Sequence, residues 1–125
     1  KGITVRKTLR QRVIVRCSAG ENWNKFVLWS LENKFGGLEC LAGIPGSVGA
    51  APIQNIGAYG SEVCDVIESV YVYDVKRNLA ISISNKDCAF GYRTSVFRNQ
   101  TLTSFLHLPY GLKLLQSNMI EIRYM

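Results

Sequence analysis

Residues 36–60 are the feature that most constrains the chain, because they hold seven of its eleven glycines and two of its three prolines. Glycine reaches backbone conformations closed to other residues and lets a ligand approach the main chain closely. Apolar residues at Ile44, Val48, Ile53 and Ile56 argue against a flexible linker. The segment therefore predicts a main-chain surface for something flat or anionic, although tight turns between buried elements would have the same composition.

The length of 125 residues allows one domain at most. That is short for a complete redox enzyme with two substrates and a cofactor, so we expect a fragment. Hydrophobic residues make up 47% and charged residues 19%, as in ordinary globular proteins. No apolar run approaches the roughly 18 residues of a spanning helix, so we expect no membrane partner and a cytoplasmic location.

The cysteines argue against a metal site. Cys17, Cys40, Cys64 and Cys88 are 23, 24 and 24 residues apart, without a C-x-x-C pair, and His107 is the single histidine. This spacing is unlike that of structural zinc sites. Because nothing in the chain suggests secretion, we predict structural thiols rather than disulfides.

Most of the net charge of +6 is concentrated near the start of the chain. The basic residues there alternate with apolar ones, which favours a solvated strand or hairpin face. Nucleic-acid binding is the less favoured reading, because aromatic residues for base stacking are not interleaved, and we expect no nucleic-acid partner. The basic residues are Lys1, Arg6, Lys7, Arg10, Arg12 and Arg16.

The first half of the chain predicts a strand followed by a helix. Residues 13–18 begin with a β-branched run, Val13 to Val15, and end at Ala19-Gly20. Asn22 can cap a helix that stops at Gly36-Gly37. Its apolar stripe has spacings of three and four and predicts packing rather than a cofactor site. The stripe consists of Trp23, Phe26, Val27, Ser30 and Leu31.

Further short elements follow. A helix over residues 47–51 would leave its first amides free for a carboxylate, a phosphate or the edge of an electron-rich ring. Residues 63–73 and 79–83 predict a β-hairpin, and Ser84 or Asn85 can cap a helical turn after it. Arg93, flanked by aromatic residues, could be held partly out of water with its guanidinium able to bind a carboxylate. The spacing alone favours a structural or surface arginine.

Three ordered motifs carry a family resemblance. They are A-G-E-N-W at 19–23, G-L-E-C-L-A-G-I-P-G-S-V-G-A-A-P-I-Q-N-I-G-A-Y-G at 37–60, and F-G-Y-R-T-S-V-F at 90–97. Together they resemble the UDP-N-acetylenolpyruvoylglucosamine reductases over roughly Gly2 to Phe97. The resemblance implies an α+β fold, the second subdomain of a vanillyl-alcohol-oxidase/PCMH-type FAD-binding domain. Residues 1–97 would be part of that subdomain, and 98–125 a poorly matching tail that could hold its last strand, with 102–108 as the candidate.

The resemblance also implies a function. It is the FAD-dependent, NADPH-linked reduction of UDP-N-acetylglucosamine enolpyruvate, a UDP-sugar enolpyruvyl ether, to UDP-N-acetylmuramate in peptidoglycan precursor synthesis. Arg93 would be catalytic, stabilising negative charge on the substrate. The family's proton-donating serine and late glutamate have no match, so we expect the isolated chain to be inactive. The implied cofactor contacts are Gly43, Ile44, Pro45, Gly46, Ser47, Gly49, Ala50, Ile53, Gln54, Asn55, Gly57, Ala58 and Tyr59.

Two alternatives remain open at this point. One is another flavin-dependent oxidoreductase of the same fold, which the second and third motifs speak against. The other is a non-catalytic remnant or basic scaffold, whose nucleic-acid affinity would fall steeply with salt. The sequence does not indicate an oligomeric state.

Overall fold

A computed structural model describes residues 2–9, 12–74, 78–97 and 119–124. Within these residues, five antiparallel strands form one sheet in the order β1-β2-β7-β5-β6, and β3 and β4 form a small separate hairpin. The elements are β1 Ile3–Leu9, β2 Arg12–Ser18, α1 Trp23–Glu32, β3 Gly57–Ala58, β4 Ser61–Glu62, β5 Ile67–Asp74, β6 Leu79–Ser84 and β7 Met119–Tyr124, with 3₁₀ turns at Glu39–Leu41, Val48–Ala50, Val63–Asp65 and Asn85–Cys88.

The central strand of the sheet is β7, which comes last in chain order. Ile122 pairs with Val15 of β2, and Ile120 pairs with both Cys17 of β2 and Val70 of β5. These side chains are all buried on one face. The sequence-based candidate for a further strand, 102–108, lies outside the described residues. The central position of residues 119–124 was not predicted.

Helix α1 begins where the sequence indicated, because the Asn22 side chain accepts a hydrogen bond from the Lys25 amide at 2.9 Å. Trp23, Phe26 and Val27 are buried against the sheet, as predicted. The inclusion of Leu31 in the buried stripe was wrong, since it is 41% exposed. The helix covers one face of the sheet and forms the core with it.

The predicted hairpin of β5 and β6 is confirmed, but β5 starts later than expected. Residues 63–66 do not continue the strand, because the Glu62 and Asp65 side chains each accept a hydrogen bond from the other's backbone amide. This reciprocal capping closes a helical turn at Val63–Asp65. The strand proper begins at Ile67, where pairing with β7 becomes possible.

The opposite face of the sheet carries a buried carboxylate. Glu121 of β7 is only 5% exposed and accepts hydrogen bonds from Ser69, at 3.1 Å, and from the guanidinium groups of Arg16, at 3.0 Å, and Arg6. A bulge in β1 occurs at Arg6. Two of the basic residues predicted to face solvent from a hairpin are therefore paired with one acid, and Arg16 also stacks on the Tyr71 ring at 4.8 Å.

In the described part of the chain, no helix has the length and apolar character needed to cross a membrane.

Candidate functional site

A cleft of about 490 Å³ lies between the β3–β4 hairpin and the loop that carries Arg93. One wall is formed by the end of the Gly-rich segment and the two residues after it, 57–62, and the other by Gly91, Tyr92 and Arg93. The second and third sequence motifs therefore meet here. This is a concave site of the size that small ligands use.

A strained turn lies in the middle of the first wall, at the tip of the β3–β4 hairpin. Tyr59 and Gly60 form the two-residue connection between β3 and β4 and have φ angles of +54° and +79°. Positive φ at both positions is typical of a type I′ turn, which favours Asn-Gly. A tyrosine at the first position is conformationally costly, and its side chain is 91% exposed. Strained backbone positions of this kind are frequent at functional sites.

Arg93 occupies a similar position on the second wall. Gly91 and Thr94 exchange backbone hydrogen bonds of 3.1 and 3.3 Å and close a four-residue turn around Tyr92 and Arg93. Arg93 has a φ of +54°, where such turns usually place glycine or asparagine. Its guanidinium lies 5.5 Å from the centre of the Tyr92 ring.

Of the two placements that the residues around Arg93 allow, the structure shows the surface one and not a position held partly out of water. Arg93 is exposed, and Tyr92 beside it is 83% exposed. Phe90 and Phe97 are partly buried and pack against the core. The flanking aromatic residues therefore anchor the loop and leave its tip in solvent.

The turn at Val48–Ala50 does not offer the free amides that the sequence suggested. The amide of Val48 donates to the Glu21 carbonyl at 2.8 Å, and that of Gly49 donates to the Ala19 carbonyl at 2.9 Å. The amide of Ala50 donates to Ser47 at 3.1 Å. The bonds from Val48 and Gly49 join the first and second motifs. All three amides donate within the fold and are therefore not available to bind an anion.

The Gly-rich segment nevertheless presents bare main chain to solvent. A Cβ atom placed on Gly43, Gly46 or Gly60 would meet no other atom within 4 Å, and all three have positive φ angles. These glycines are not needed for close packing within the chain. Exposed backbone without side chains suits the flat face of a large aromatic cofactor, so the residues present fit FAD.

The predicted cofactor contacts differ in their surroundings. Gly57, Ala58 and Tyr59 line the cleft together with Arg93. Gly49 and Asn55 are buried, and Asn55 uses its side-chain amide within the fold. Partly buried are Ile44, Ser47 and Ile53, whereas Gly43, Pro45, Gly46, Ala50 and Gln54 are exposed.

Cleft residues that the sequence did not single out are Gly60, Ser61 and Glu62 on the hairpin and Gly91 and Tyr92 on the loop. Gly91 and Tyr92 belong to the third motif and could have been chosen on that ground. The sequence did not indicate that Ser61 and Glu62 line a site, because a hydroxyl and a carboxylate after a turn are common on any protein surface.

The thiols are all free. Burial raises the pKa of Cys17 and of Cys88 to about 12, and that of Cys64, near the cleft, is also raised by burial. Cys17 and Cys88 are core residues, as predicted for structural thiols, whereas Cys40 is exposed.

Comparison with known proteins shows the family to which the chain belongs. A model described as FAD binding domain matches residues 4–77. UDP-N-acetylenolpyruvoylglucosamine reductase from Salinispora arenicola is 48% identical over 98 residues, which are 78% of this chain and 27% of the relative. The protein of the same name from Flavobacterium johnsoniae is 41% identical over 118 residues, 94% of this chain and 35% of the relative.

A solved structure agrees. The crystal structure of UDP-N-acetylenolpyruvylglucosamine reductase from Thermus caldophilus matches with a TM-score of 0.65 and 27% identity. The match covers 88% of this chain and 35% of that one. The α+β fold and the PCMH-type assignment are thus confirmed.

The chain belongs to the FAD-binding domain family of flavoprotein oxidoreductases. Within that family, the relatives described above all carry the name UDP-N-acetylenolpyruvoylglucosamine reductase, and the resemblance predicted from the three motifs is confirmed. The chain spans about a third or less of the length of these relatives.

Proposed function

We propose that this chain is the FAD-binding part of a reductase that converts UDP-N-acetylglucosamine enolpyruvate to UDP-N-acetylmuramate with electrons from NADPH. The observation that carries the proposal is the meeting of Arg93 with Gly57, Ala58 and Tyr59 in one cleft. The arginine assigned to the substrate and residues assigned to the flavin thus share a single site. The reaction belongs to peptidoglycan precursor synthesis, and we place it in the cytoplasm.

The Gly-rich segment would hold the flavin through its main chain. Gly43 and Gly46 present backbone without side chains, and the exposed Ala50 adds only a methyl group. FAD, when bound, supplies the redox chemistry, so the protein's contribution is binding, orientation and electrostatics. Of the thirteen residues predicted from the sequence, the buried Gly49 and Asn55 would act through the fold. The other eleven would contact the flavin directly.

Arg93 would bind the carboxylate of the enolpyruvyl group. Its fork of N–H donors can hold a carboxylate at two points. Such a donor contributes several kcal/mol, roughly 3, to a developing anion only in a site that excludes water. Because Arg93 is exposed here, that exclusion has to come from the bound substrate and cofactor together with the rest of the reductase.

The test is a titration of FAD with the purified 125-residue chain, followed by flavin fluorescence. We expect saturable quenching that survives Arg93→Ala and is lost in Ala50→Arg. Ala80→Arg, the same change on the exposed edge strand β6, is the matched control and should bind as the parent does. Absence of quenching by a folded chain, or equal loss in both arginine variants, would contradict the proposed flavin surface.

The second half of the proposal is that the 125 residues alone do not turn over, because the family's serine and glutamate are not matched in them. Mixing the chain with FAD, NADPH and UDP-N-acetylglucosamine enolpyruvate should give no NADPH oxidation above the rate without protein. Catalytic NADPH consumption would overturn this half and leave the flavin assignment standing.

A further inference from the structure

Asn55 links the Gly-rich segment to the arginine loop. Its side chain is fully buried, its Nδ2 donates to the Gly91 carbonyl at 2.8 Å, and its Oδ1 accepts from the Cys64 amide at 3.0 Å. A buried amide with both ends used holds the surrounding backbone in a defined arrangement. Gly91 lies two residues before Arg93, so one of these bonds acts directly on the arginine turn.

Ser95 makes the reciprocal contact. It is fully buried, and its Oγ donates to the Ile53 carbonyl at 2.7 Å and accepts from the Phe97 amide at 3.2 Å. Ile53 lies two residues before Asn55, and Ser95 lies two residues after Arg93. Each segment therefore sends one buried polar side chain to the other's backbone, and the two bonds bracket the arginine.

The arginine turn needs such support. The φ of +54° at Arg93 disfavours the observed conformation relative to an extended one. Within the turn, the two backbone bonds between Gly91 and Thr94 are the local compensation. Strained positions persist where the surrounding structure determines them, and here the surroundings are the side chains of Asn55 and Ser95.

We propose that Asn55 and Ser95 are positioning residues that together hold Arg93 on the wall of the cleft opposite Tyr59. The role of Arg93 rests on the proposed function, but the positioning of its loop does not. Both side chains are buried and spend their hydrogen bonds within the fold. They act through the backbone on either side of Arg93.

The main variant is Asn55→Asp, studied at pH 8 in the full chain. Aspartate tolerates the φ of +48° at this position and keeps an acceptor for the Cys64 amide, but it cannot donate to Gly91. Asn55→Gly, which also accepts the positive φ, serves if the aspartate variant does not fold. Ser95→Ala removes the second bond by itself.

Trypsin reports on the loop directly, because it cleaves after Arg93. We expect the cleavage rate at the Arg93–Thr94 bond to rise about tenfold in Asn55→Asp and in Ser95→Ala, as loss of one buried hydrogen bond raises the open population. Cleavage at the exposed Lys34–Phe35 bond, at the end of α1, should stay unchanged. The matched control is Asn33→Ala, which removes the hydrogen bond that Asn33 Nδ2 donates to the Trp29 carbonyl at 2.8 Å. This variant should change only the cleavage rate at the Lys34–Phe35 peptide bond.

An NMR signal separates positioning from general loss of structure. The Nε–H resonance of Arg93, assigned by its disappearance in Arg93→Lys, should shift in Asn55→Asp and Ser95→Ala and stay in place in Asn33→Ala. An unchanged resonance and an unchanged rate at Arg93 would overturn the proposal, as would equal acceleration at Arg93 and Lys34. Because neither measurement uses flavin or substrate, failure here is distinguishable from failure of the proposed function.

Discussion

Gly49 packs so closely on Ala19 that a Cβ atom added to it would lie 2.6 Å from the Cβ of Ala19. The contact follows from the hydrogen bond of the Gly49 amide to the Ala19 carbonyl. It fixes the end of β2 against the Gly-rich segment. Glycine is required at position 49 for packing, and not for an unusual φ.

Gly49→Ala should therefore destabilise the fold by about 1–3 kcal/mol through overpacking. Urea unfolding followed by tryptophan fluorescence measures the change. Ala19→Gly in the same chain should recover part of the loss, because it removes the atom that clashes. Gly36→Ala is the control, since a Cβ there meets only a Glu39 oxygen at 3.8 Å and should change stability by less than about 0.5 kcal/mol.

Tyr59→Asn should raise stability by about 0.5–1 kcal/mol, because asparagine before glycine suits a type I′ turn better than tyrosine does. Tyr92→Asn is the comparison. Tyr92 is also highly exposed, at 83%, and lines the same cleft but has no positive φ, so Tyr92→Asn should not raise stability. Thermal unfolding compares the stability of the two variants with that of the parent chain. A loss of stability in Tyr59→Asn would show that the tyrosine ring itself stabilises the hairpin. Under the proposed function, Tyr59→Asn should also bind FAD more weakly.

Glu121→Gln should cost about 1–3 kcal/mol, because it weakens charge-assisted hydrogen bonds to a buried group. Glu68→Gln is the matched change in an ion pair with Arg123 whose two side chains are 39% and 36% exposed. Exposed pairs contribute little, so that variant should lose less than about 0.5 kcal/mol. Urea unfolding measures the loss of stability in each variant. Similar losses would contradict the expectation that the buried carboxylate contributes more than the exposed ion pair.

The stability of the chain should also fall in acid through Glu121. Burial acts to raise the pKa of this carboxyl, but hydrogen bonds from Arg6, Arg16 and Ser69 outweigh it and hold the pKa below its ordinary value of 4.5. The ionised Glu121 therefore contributes its full stabilisation of the fold above the ordinary pKa of 4.5. This contribution is lost as the pH falls through the lower pKa that Glu121 has in the folded state. Unfolding free energies measured between pH 7 and pH 3 should decline less steeply in Glu121→Gln than in the parent.

The four thiols should react with N-ethylmaleimide in an order set by burial. We expect Cys40 to react first and Cys64 second, with Cys17 and Cys88 slower than Cys40 by at least about a hundredfold, since they must wait for unfolding. Peptide mass spectrometry after timed labelling gives the four rates. In 8 M urea the four should converge, and persistent protection there would point to a cause other than burial.

Local signals in the sequence predicted local elements well. Asn22 capped a helix, the β-branched run before Ala19 formed β2, and residues 79–83 fell within β6. Each depends on neighbours within a few positions. The family resemblance was equally local, since it rests on three short motifs.

Features that depend on distant partners were not predictable in the same way. The amides of Val48 and Gly49 are used because the Ala19 loop lies beside them, which no property of residues 47–51 indicates. The exposure of Arg93 depends on what covers its loop and not on its aromatic neighbours. The place of β7 is the extreme case, because the residues of that strand give no indication of the two strands that it joins.

That central strand has a consequence for synthesis on the ribosome. The β1–β2 hairpin and the β5–β6 hairpin can each form soon after they leave the exit tunnel, yet they share no direct strand pairing in the sheet order β1-β2-β7-β5-β6. They become one sheet only when residues 119–124 have emerged and inserted between them. Until then the apolar faces of both hairpins, and the two edges that will receive β7, are open to chaperones and to other nascent chains.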